Sequence, residues 1–435
     1  MAEVTPFRGV RYGDTIDMDA VVAPPYDVLT AAQADELRAR SPHNALHVDL
    51  PVGPGEERRA AAYAAAAAAF RRWRADGTLV RDSEPSVYLV DQVYRGPDGY
   101  DRTRRGFIAR LTLADIEDRV VLPHEKTHAG PKMDRLDLYR AAHADLSQIF
   151  LLYPDDDGAV AAELASAADE TSDRGTRVAH DRDGNTHRIT PVRGARARRI
   201  AALLREQTLY IADGHHRYET ALAYSDERRA AGDHSADTTM VYLCGMSDPG
   251  LTVFPTHRLL KGIDMPRMDE VLERLRPAFE VFPERGADHD ACELMAQHLR
   301  GFADRGKVFG LYFPREKACC TVELRDLGAV GRLLDEGFSP DAARLSVTIL
   351  HYLIFRDALG IDPEHTEGHI DYVTDPAEAF RRLSGGEYCL GAFINATLVD
   401  EVRSIADNGE TMPHKSTYFY PKLLTGLVYD ALGDD

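Results

Sequence analysis

The run Asp213-Gly214-His215-His216-Arg217 sets a carboxylate, a glycine, two imidazoles and a guanidinium side by side. Before it, Thr208-Leu209-Tyr210-Ile211-Ala212 reads as a buried strand; after it, Tyr218 to Ala223 reads as a helix. The strand delivers the run to one end of a sheet. Gly214 permits a tight turn, and the helix start points backbone N–H groups without helical partners at whatever binds there. Those groups, the positive end of the helix dipole and the forked donors of Arg217 together attract phosphate, with Gly214, His216 and Arg217 as its binders. Asp213 and His215 have the chemistry to hold a metal ion or move a proton. A plainer role uses the same residues: Asp213 caps the helix and the histidines solvate its first turn.

His124-Glu125-Lys126-Thr127-His128 matches the zinc-protease pattern. That chemistry needs both histidines one turn apart on a regular helix, and Pro123 before them and Gly130-Pro131 after them disfavour one. Glu125 is therefore expected in a loop, as the carboxylate that accepts a hydroxyl proton in phosphoryl transfer. Met412 to Lys422 crowds Lys415, Ser416, Thr417, Tyr418, Tyr420 and Lys422 between prolines. Lys415 beside Ser416 and Thr417 suits phosphate, without the glycines of a P-loop; a packed strand of Tyr418, Phe419 and Tyr420 is the competing reading. Substrate-pocket candidates are Tyr26 and Asp27 after the stiff Ala23-Pro24-Pro25, Lys132 and Arg135, and His257 and Arg258 after Phe254-Pro255-Thr256.

The Asp213 to Arg217 run resembles a motif of the ParB-like superfamily, which includes partition-protein nucleotide-binding domains, sulfiredoxins and free-serine kinases, and it is most similar to the kinase version. Where sulfiredoxins carry a reactive cysteine this chain has His215, which argues against thiol chemistry. In the kinases a glutamate upstream of the loop is the base, and the resemblance gives that role to Glu125. A broader resemblance is to the uncharacterised DUF1015 family. It rests on Ala23 to Val28, His124 to Lys132, Ile211 to Leu222, Phe254 to Arg258 and Met412 to Lys422, which occur there in this order. That family label names no reaction.

The elements that must position these residues follow from periodicity and turn chemistry. A helix is predicted from about Asp35 to Ala75, and a hairpin of Ser86–Val90 and Arg105–Leu111 about Gly96-Pro97-Asp98-Gly99. Further on come a helical stretch Met133–Ala144, a strand Gln148–Tyr153, a helix Ala159–Glu170, a hairpin about Asp181 to Asn185, a helix Arg196–Arg205 and a strand Met240–Cys244. Met265 to Leu324 reads as helix, strand, helix, strand, strand. A buried helix Ala342–Leu359 precedes strands Gly368–Val373 and Tyr388–Phe393, each followed by a helix.

At 435 residues, with 44% hydrophobic residues and no apolar stretch long enough to span a bilayer, the composition is that of a soluble protein of several domains. Met1 to Phe7 lacks the regions of a signal peptide, so a cytoplasmic protein is expected. A formal charge of −19, from 71 acidic and 52 basic residues, opposes nucleic-acid or membrane partners. Five scattered cysteines give neither a disulfide framework nor a cysteine zinc site.

The fold expected is α+β (mixed α/β): a ParB-like nucleotide-binding core with additional α+β subdomains. Its segments are residues 1–84 with the alanine-rich helix, 85–262 with the Asp213 loop, 263–335 as a small subdomain and 336–435 with the Lys415 motif. The function expected is a nucleotide-dependent phosphotransferase acting on a small metabolite. ATP or another nucleotide and Mg2+, held near Asp213 or His215, are its cofactors. Two other classes fit the same residues: a nucleotide-binding or nucleotide-hydrolysing regulatory switch, and a metal-dependent hydrolase using His124, Glu125 and His215. The acceptor, the choice of nucleotide and the oligomeric state stay open.

Overall fold

Ser86–Arg95 and Asp101–Thr112 form the hairpin expected from their turn residues, with Tyr88 opposite Ile108 and Arg95 opposite Asp101. Around it grows a nine-stranded mixed sheet. Its order is Val121–Leu122, Leu209–Asp213, Ile149–Tyr153, Thr238–Gly245, Asp101–Thr112, Ser86–Arg95, Thr186–Arg193 and Arg177–His180, with Val4–Thr5 also pairing to Asp101–Thr112. One face of the sheet is apolar: Phe107, Leu111, Leu151, Ile211, Val241 and Leu243 pack with helical Val160, Leu164, Ile200 and Tyr218. Each such buried side chain contributes about 1.5–3 kcal/mol. These strands and helices fall in the first of the two compact units into which the chain divides. In the computed structural model residues 1–51, 56–125, 129–170, 175–284, 289–302, 307–362 and 368–433 are described.

That first unit comprises Met1–Pro123, Thr127–Thr252 and Pro421–Asp435; the second comprises His124–Lys126 and Val253–Tyr420. These units cut across the segments drawn from chain order. The 85–262 segment contributes His124–Lys126 and the strand His257–Lys261 to the second unit, and the 336–435 segment is divided at Pro421. The reason for the second division is hydrogen bonding. On the polar face of the nine-stranded sheet Arg104 lies opposite Gln92, and Gln92 opposite His187. Arg104 donates to the Pro421 carbonyl and Gln92 to that of Lys422 at 3.2 Å. Gln148 Nε2 takes the Leu424 carbonyl at 3.2 Å. Asp430–Ala431 then pairs with Ala144–Asp145, and buried Asp430 meets Arg110 at 2.6 Å.

The second unit holds a six-stranded sheet, antiparallel throughout, in the order Phe279–Glu284, Ala318–Leu324, Val308–Phe313, Tyr388–Ile394, His257–Lys261 and Ile370–Val373. The predicted order from Met265 to Leu324 is found as Met268–Leu275, Phe279–Glu284, His289–Gly301, Val308–Phe313 and Ala318–Leu324. Two long helices are broken where the sequence predicted one. Ala31–Arg40 ends before Ser41-Pro42, and Leu46–Asp49 and Glu56–Ala75 follow as separate helices. Extended Leu345, ψ 133°, separates Pro340–Arg344 from Ser346–Ile349, after which Leu350–Ala358 winds as a π-helix. Among the described residues no helix is long and apolar enough to cross a membrane.

Asp145 ties the C-terminal strand to the sheet. Its carboxylate accepts from Met240 N at 2.9 Å and Thr239 Oγ1 at 3.2 Å. Burial, reinforced by the neighbouring Asp430, pushes its pKa up from 3.8 to about 7. The native state thus favours the protonated form, a contribution complete below pH 3.8 and lost as pH rises through about 7. Relative to wild type, Asp145→Asn should gain stability across that window, by roughly 1–3 kcal/mol at its upper end. Urea midpoints at several pH values check this, and a difference that does not grow with pH contradicts it.

Candidate functional site

Strand Leu209–Asp213 lies one place in from the sheet edge, parallel to Val121–Leu122 and antiparallel to Ile149–Tyr153. Tyr210 faces Leu152 and Ile211 faces Leu151, but Phe150 is faced by Asp213, so Ala212 is an extra residue in a bulge. Strand side chains alternate between faces, and one extra residue inverts the facing of every later one. Without the bulge Asp213 would share the apolar face of Ile211. With it, Asp213 joins Phe150 on the face that carries Arg104, whose guanidinium carbon sits 4.8 Å from the Phe150 ring centre, and the C-terminal segment.

Gly214 follows with φ 96° and ψ 31°, and Tyr218 N returns to its carbonyl at 2.9 Å to open the helix His215–Ala230. Asp213 stands between two cations: Lys422 Nζ donates to Oδ2 at 2.7 Å and Arg217 Nη2 to Oδ1 at 3.5 Å. His215 is buried and His216 half-buried. Arg217, expected from sequence to reach phosphate, is buried beneath the turn. Its Nη1 donates to the Gln148 carbonyl, its Nε has no hydrogen-bond partner, and a Cβ on Gly214 would lie 3.0 Å from that Nε. Burial works to lower the pKa of this guanidinium, but Asp213, Asp27, Tyr26 and Asp49 outweigh it and raise it.

Several residues nominated from sequence gather around Arg217. Tyr26 begins the short helix after Pro24-Pro25, and the Arg135 guanidinium lies 4.1 Å from its ring centre. Burial is the main cause that pushes the Tyr26 hydroxyl up to about 12. Arg135 donates to the Asp49 carbonyl at 2.5 Å and lies 3.6 Å from its carboxylate. Asp49 is buried, one of its oxygens lacks a hydrogen bond, and burial raises its pKa despite Arg135 and Arg217. Lys132 pairs instead with Glu219, tying Ala129–Ala142 to the helix His215–Ala230. Asp49 and Gln148 escaped sequence reasoning. Asp49 ends an apolar turn with no motif around it, and Gln148 holds Arg217 through a carbonyl that any residue would supply.

The second unit contains the other nominees. Glu125 forms an isolated parallel bridge with Met412 rather than part of a helix, so the zinc-protease geometry is not adopted at His124 and Glu125; Lys126, Thr127 and His128 lie outside the described residues. Glu125 Oε1 accepts from Lys415 N at 3.1 Å and lies 2.9 Å from His414 Nδ1. Lys415 is left-handed, φ 57°, and this carboxylate holds its amide in place. Ser416 Oγ donates to the Pro413 carbonyl inside the segment, and Thr417 Oγ1 lies 3.1 Å from His124 Nε2, so both hydroxyls are engaged. His257 is buried with its pKa lowered to about 3 by burial and then by Arg258.

Among the described residues no group of three metal-capable side chains occurs. Asp213, the carboxylate expected to hold Mg2+, already neutralises Lys422 and Arg217. The donor set does not fit a resident magnesium ion.

A family model described as a protein of unknown function, DUF1015, matches residues 4–347. No curated protein matches the chain. Among solved structures, a free serine kinase variant in complex with AMP is 14% identical with TM-score 0.35, covering 69% of this chain and 84% of that one. A second variant of that kinase, in complex with ADP, is 15% identical with TM-score 0.33, covering 69% and 84%. A conserved hypothetical protein from Pyrococcus furiosus is 13% identical with TM-score 0.33, covering 69% and 87%. Likenesses this distant carry no argument about the fold or chemistry of this chain.

The turn itself yields a prediction. Gly214→Ala meets both a positive φ and the underlying guanidinium, so it should destabilise the protein by about 1–3 kcal/mol. A denaturation midpoint equal to wild type would show that the turn tolerates a side chain.

Proposed function

We propose that this chain, which belongs to the DUF1015 family, is a nucleotide-dependent phosphotransferase acting on a small metabolite, with ATP or another nucleotide held by its phosphates at Gly214 to Arg217. The observation that carries the reading is the strand, bulge and left-handed glycine that open a helix of 16 residues beside Lys422. A phosphate at this helix start meets backbone N–H groups and the positive end of the dipole. Lys422 is anchored through its carbonyl to Gln92, and its ammonium can pass from Asp213 to the phosphate as a charge-assisted donor. His216 adds a further donor. Arg217 is a positioning residue: it fixes Gly214 and Asp213 from below.

In this reading the first unit is the ParB-like nucleotide-binding core. Glu125 is the proposed acceptor of the hydroxyl proton. Its hydrogen bond from Lys415 N fixes the carboxylate, a geometry that glutamine would keep. A regulatory switch would bind nucleotide at the same turn without transferring the phosphoryl group to an acceptor.

Lys422→Met should weaken nucleotide binding by roughly 1.5–3 kcal/mol in calorimetry, with little change in melting temperature. Wild-type affinity for every nucleotide that binds would remove the phosphate role. Glu125→Gln should abolish turnover and leave nucleotide affinity unchanged. Full activity in that variant would exclude Glu125 from the mechanism, whereas nucleotide binding without any turnover in the wild type would favour the switch.

A further inference from the structure

Among the described residues, the second unit buries a positive charge that no carboxylate pairs with. Arg258 has none of its surface exposed and lies in the strand His257–Lys261, opposite Tyr372 on one side and Ala392 on the other. Its Nη1 donates to the Thr256 carbonyl and its Nη2 to the Lys415 carbonyl at 3.2 Å; its guanidinium carbon lies 5.6 Å from the Tyr372 ring centre, and its Nε has no partner. Buried Arg110, Arg135 and Arg217 each face an aspartate, at 2.6, 3.6 and 3.5 Å. For Arg258 burial depresses the pKa to about 10, and only Tyr372 opposes it. Carbonyls and a ring solvate a guanidinium but do not neutralise it, and an uncompensated buried charge is costly.

Other unsatisfied polar atoms share its surroundings. Thr256, just before the strand, gives its carbonyl to Arg258 Nη1 and has a buried Oγ1 without a partner. His351 is buried in the first turn of the π-helix Leu350–Ala358, and its Nε2 has no partner either. The Arg258 charge reaches it: burial and then Arg258 lower its pKa to about 3, so the ring is neutral and offers a donor or an acceptor. π-Helical turns are rare and concentrate at functional sites. His257 does not belong to this group, because it points to the opposite face with its ring 5.0 Å from that of Phe393. Tyr372, whose ring faces Arg258, is half-buried.

We propose that Arg258, His351 and Thr256 form a recognition point for the carboxylate of a compact small molecule. A single guanidinium, with a neutral imidazole and a hydroxyl beside it, balances one negative charge and leaves a dianionic phosphate under-neutralised. The site stands independently of nucleotide binding in the first unit, and its test contains no nucleotide.

The full chain is titrated with glycolate at constant ionic strength, with glycolamide as the uncharged counterpart and inorganic phosphate as the dianion. Glycolate should raise the melting temperature saturably, while glycolamide and phosphate should not. Arg258→Met, which removes an unneutralised buried charge and so should still fold, should bind glycolate roughly ten- to a hundredfold more weakly. If that variant does not fold, Arg258→Lys keeps the charge, loses the fork and should show the same loss. Absence of a saturable glycolate effect, equal binding by the folded variant, or tighter binding of phosphate than of glycolate overturns the proposal.

Discussion

A guanidinium taken out of water must be given acceptors and an opposing charge, and the first unit is arranged around that requirement at Arg217. The Gln148 carbonyl and Asp213 supply them directly, and Asp27 and Asp49 add charge. Because Arg217 lies against Gly214, the same guanidinium would crowd a Cβ in the turn. Asp213 can serve two cations only because Lys422 is brought to it by a C-terminal segment laid along the polar face of the sheet. That placement rests in turn on Arg104, Gln92, His187 and Asp181, linked in series by hydrogen bonds. Buried polar series of this kind hold a geometry only when every member is satisfied. The helix start at His215 is therefore positioned by residues from three other strands, those of Gln92, Arg104 and His187, and not by its own sequence alone.

Buried arginines meet their charge in two ways, and Arg104 already shows the second, with the Gln92 carboxamide, the Pro421 carbonyl and the Phe150 ring against it. In the first, each of Arg110, Arg135 and Arg217 has a nearby aspartate, so the protein itself completes the electrostatics. In the second, Arg258 has carbonyls and a ring, while Glu125 is committed to the left-handed turn at Lys415 and to His414. Completion from outside is what separates a binding arrangement from a structural one.

Much of this was legible in the sequence. The strand before Asp213, the helix after it and the Gly96 to Gly99 hairpin follow from alternation and turn residues, which are local properties. Tyr26, Asp27, Arg135 and Arg217 were nominated one by one from residue type, and they do gather in one unit. Their grouping was not legible, because it depends on strand order and on which carbonyls end up adjacent. The direct phosphate role read into Arg217 shows the limit most clearly. Residue type gives the charge of a side chain, but whether it faces solvent or lies under its own turn is decided by Gln148, far away in sequence. The long helices expected over Asp35–Ala75 and Ala342–Leu359 failed for a local reason instead: Ser41-Pro42 and extended Leu345 interrupt runs whose composition is otherwise helical.

The bulge at Ala212 makes the length of one strand decide which face Asp213 takes. Deleting a single residue there would remove no charge, no hydrogen-bonding side chain and little apolar surface, yet it would restore strict alternation and turn Asp213 toward the face lined by Ile211 and Leu151. Lys422 and Arg217 would then lose the carboxylate between them. Spacing between Tyr210 and Gly214 thus acts as a phase, and a chain of this type with one residue more or fewer in that interval would keep the sheet and the run Asp213 to Arg217 while disconnecting the one from the other.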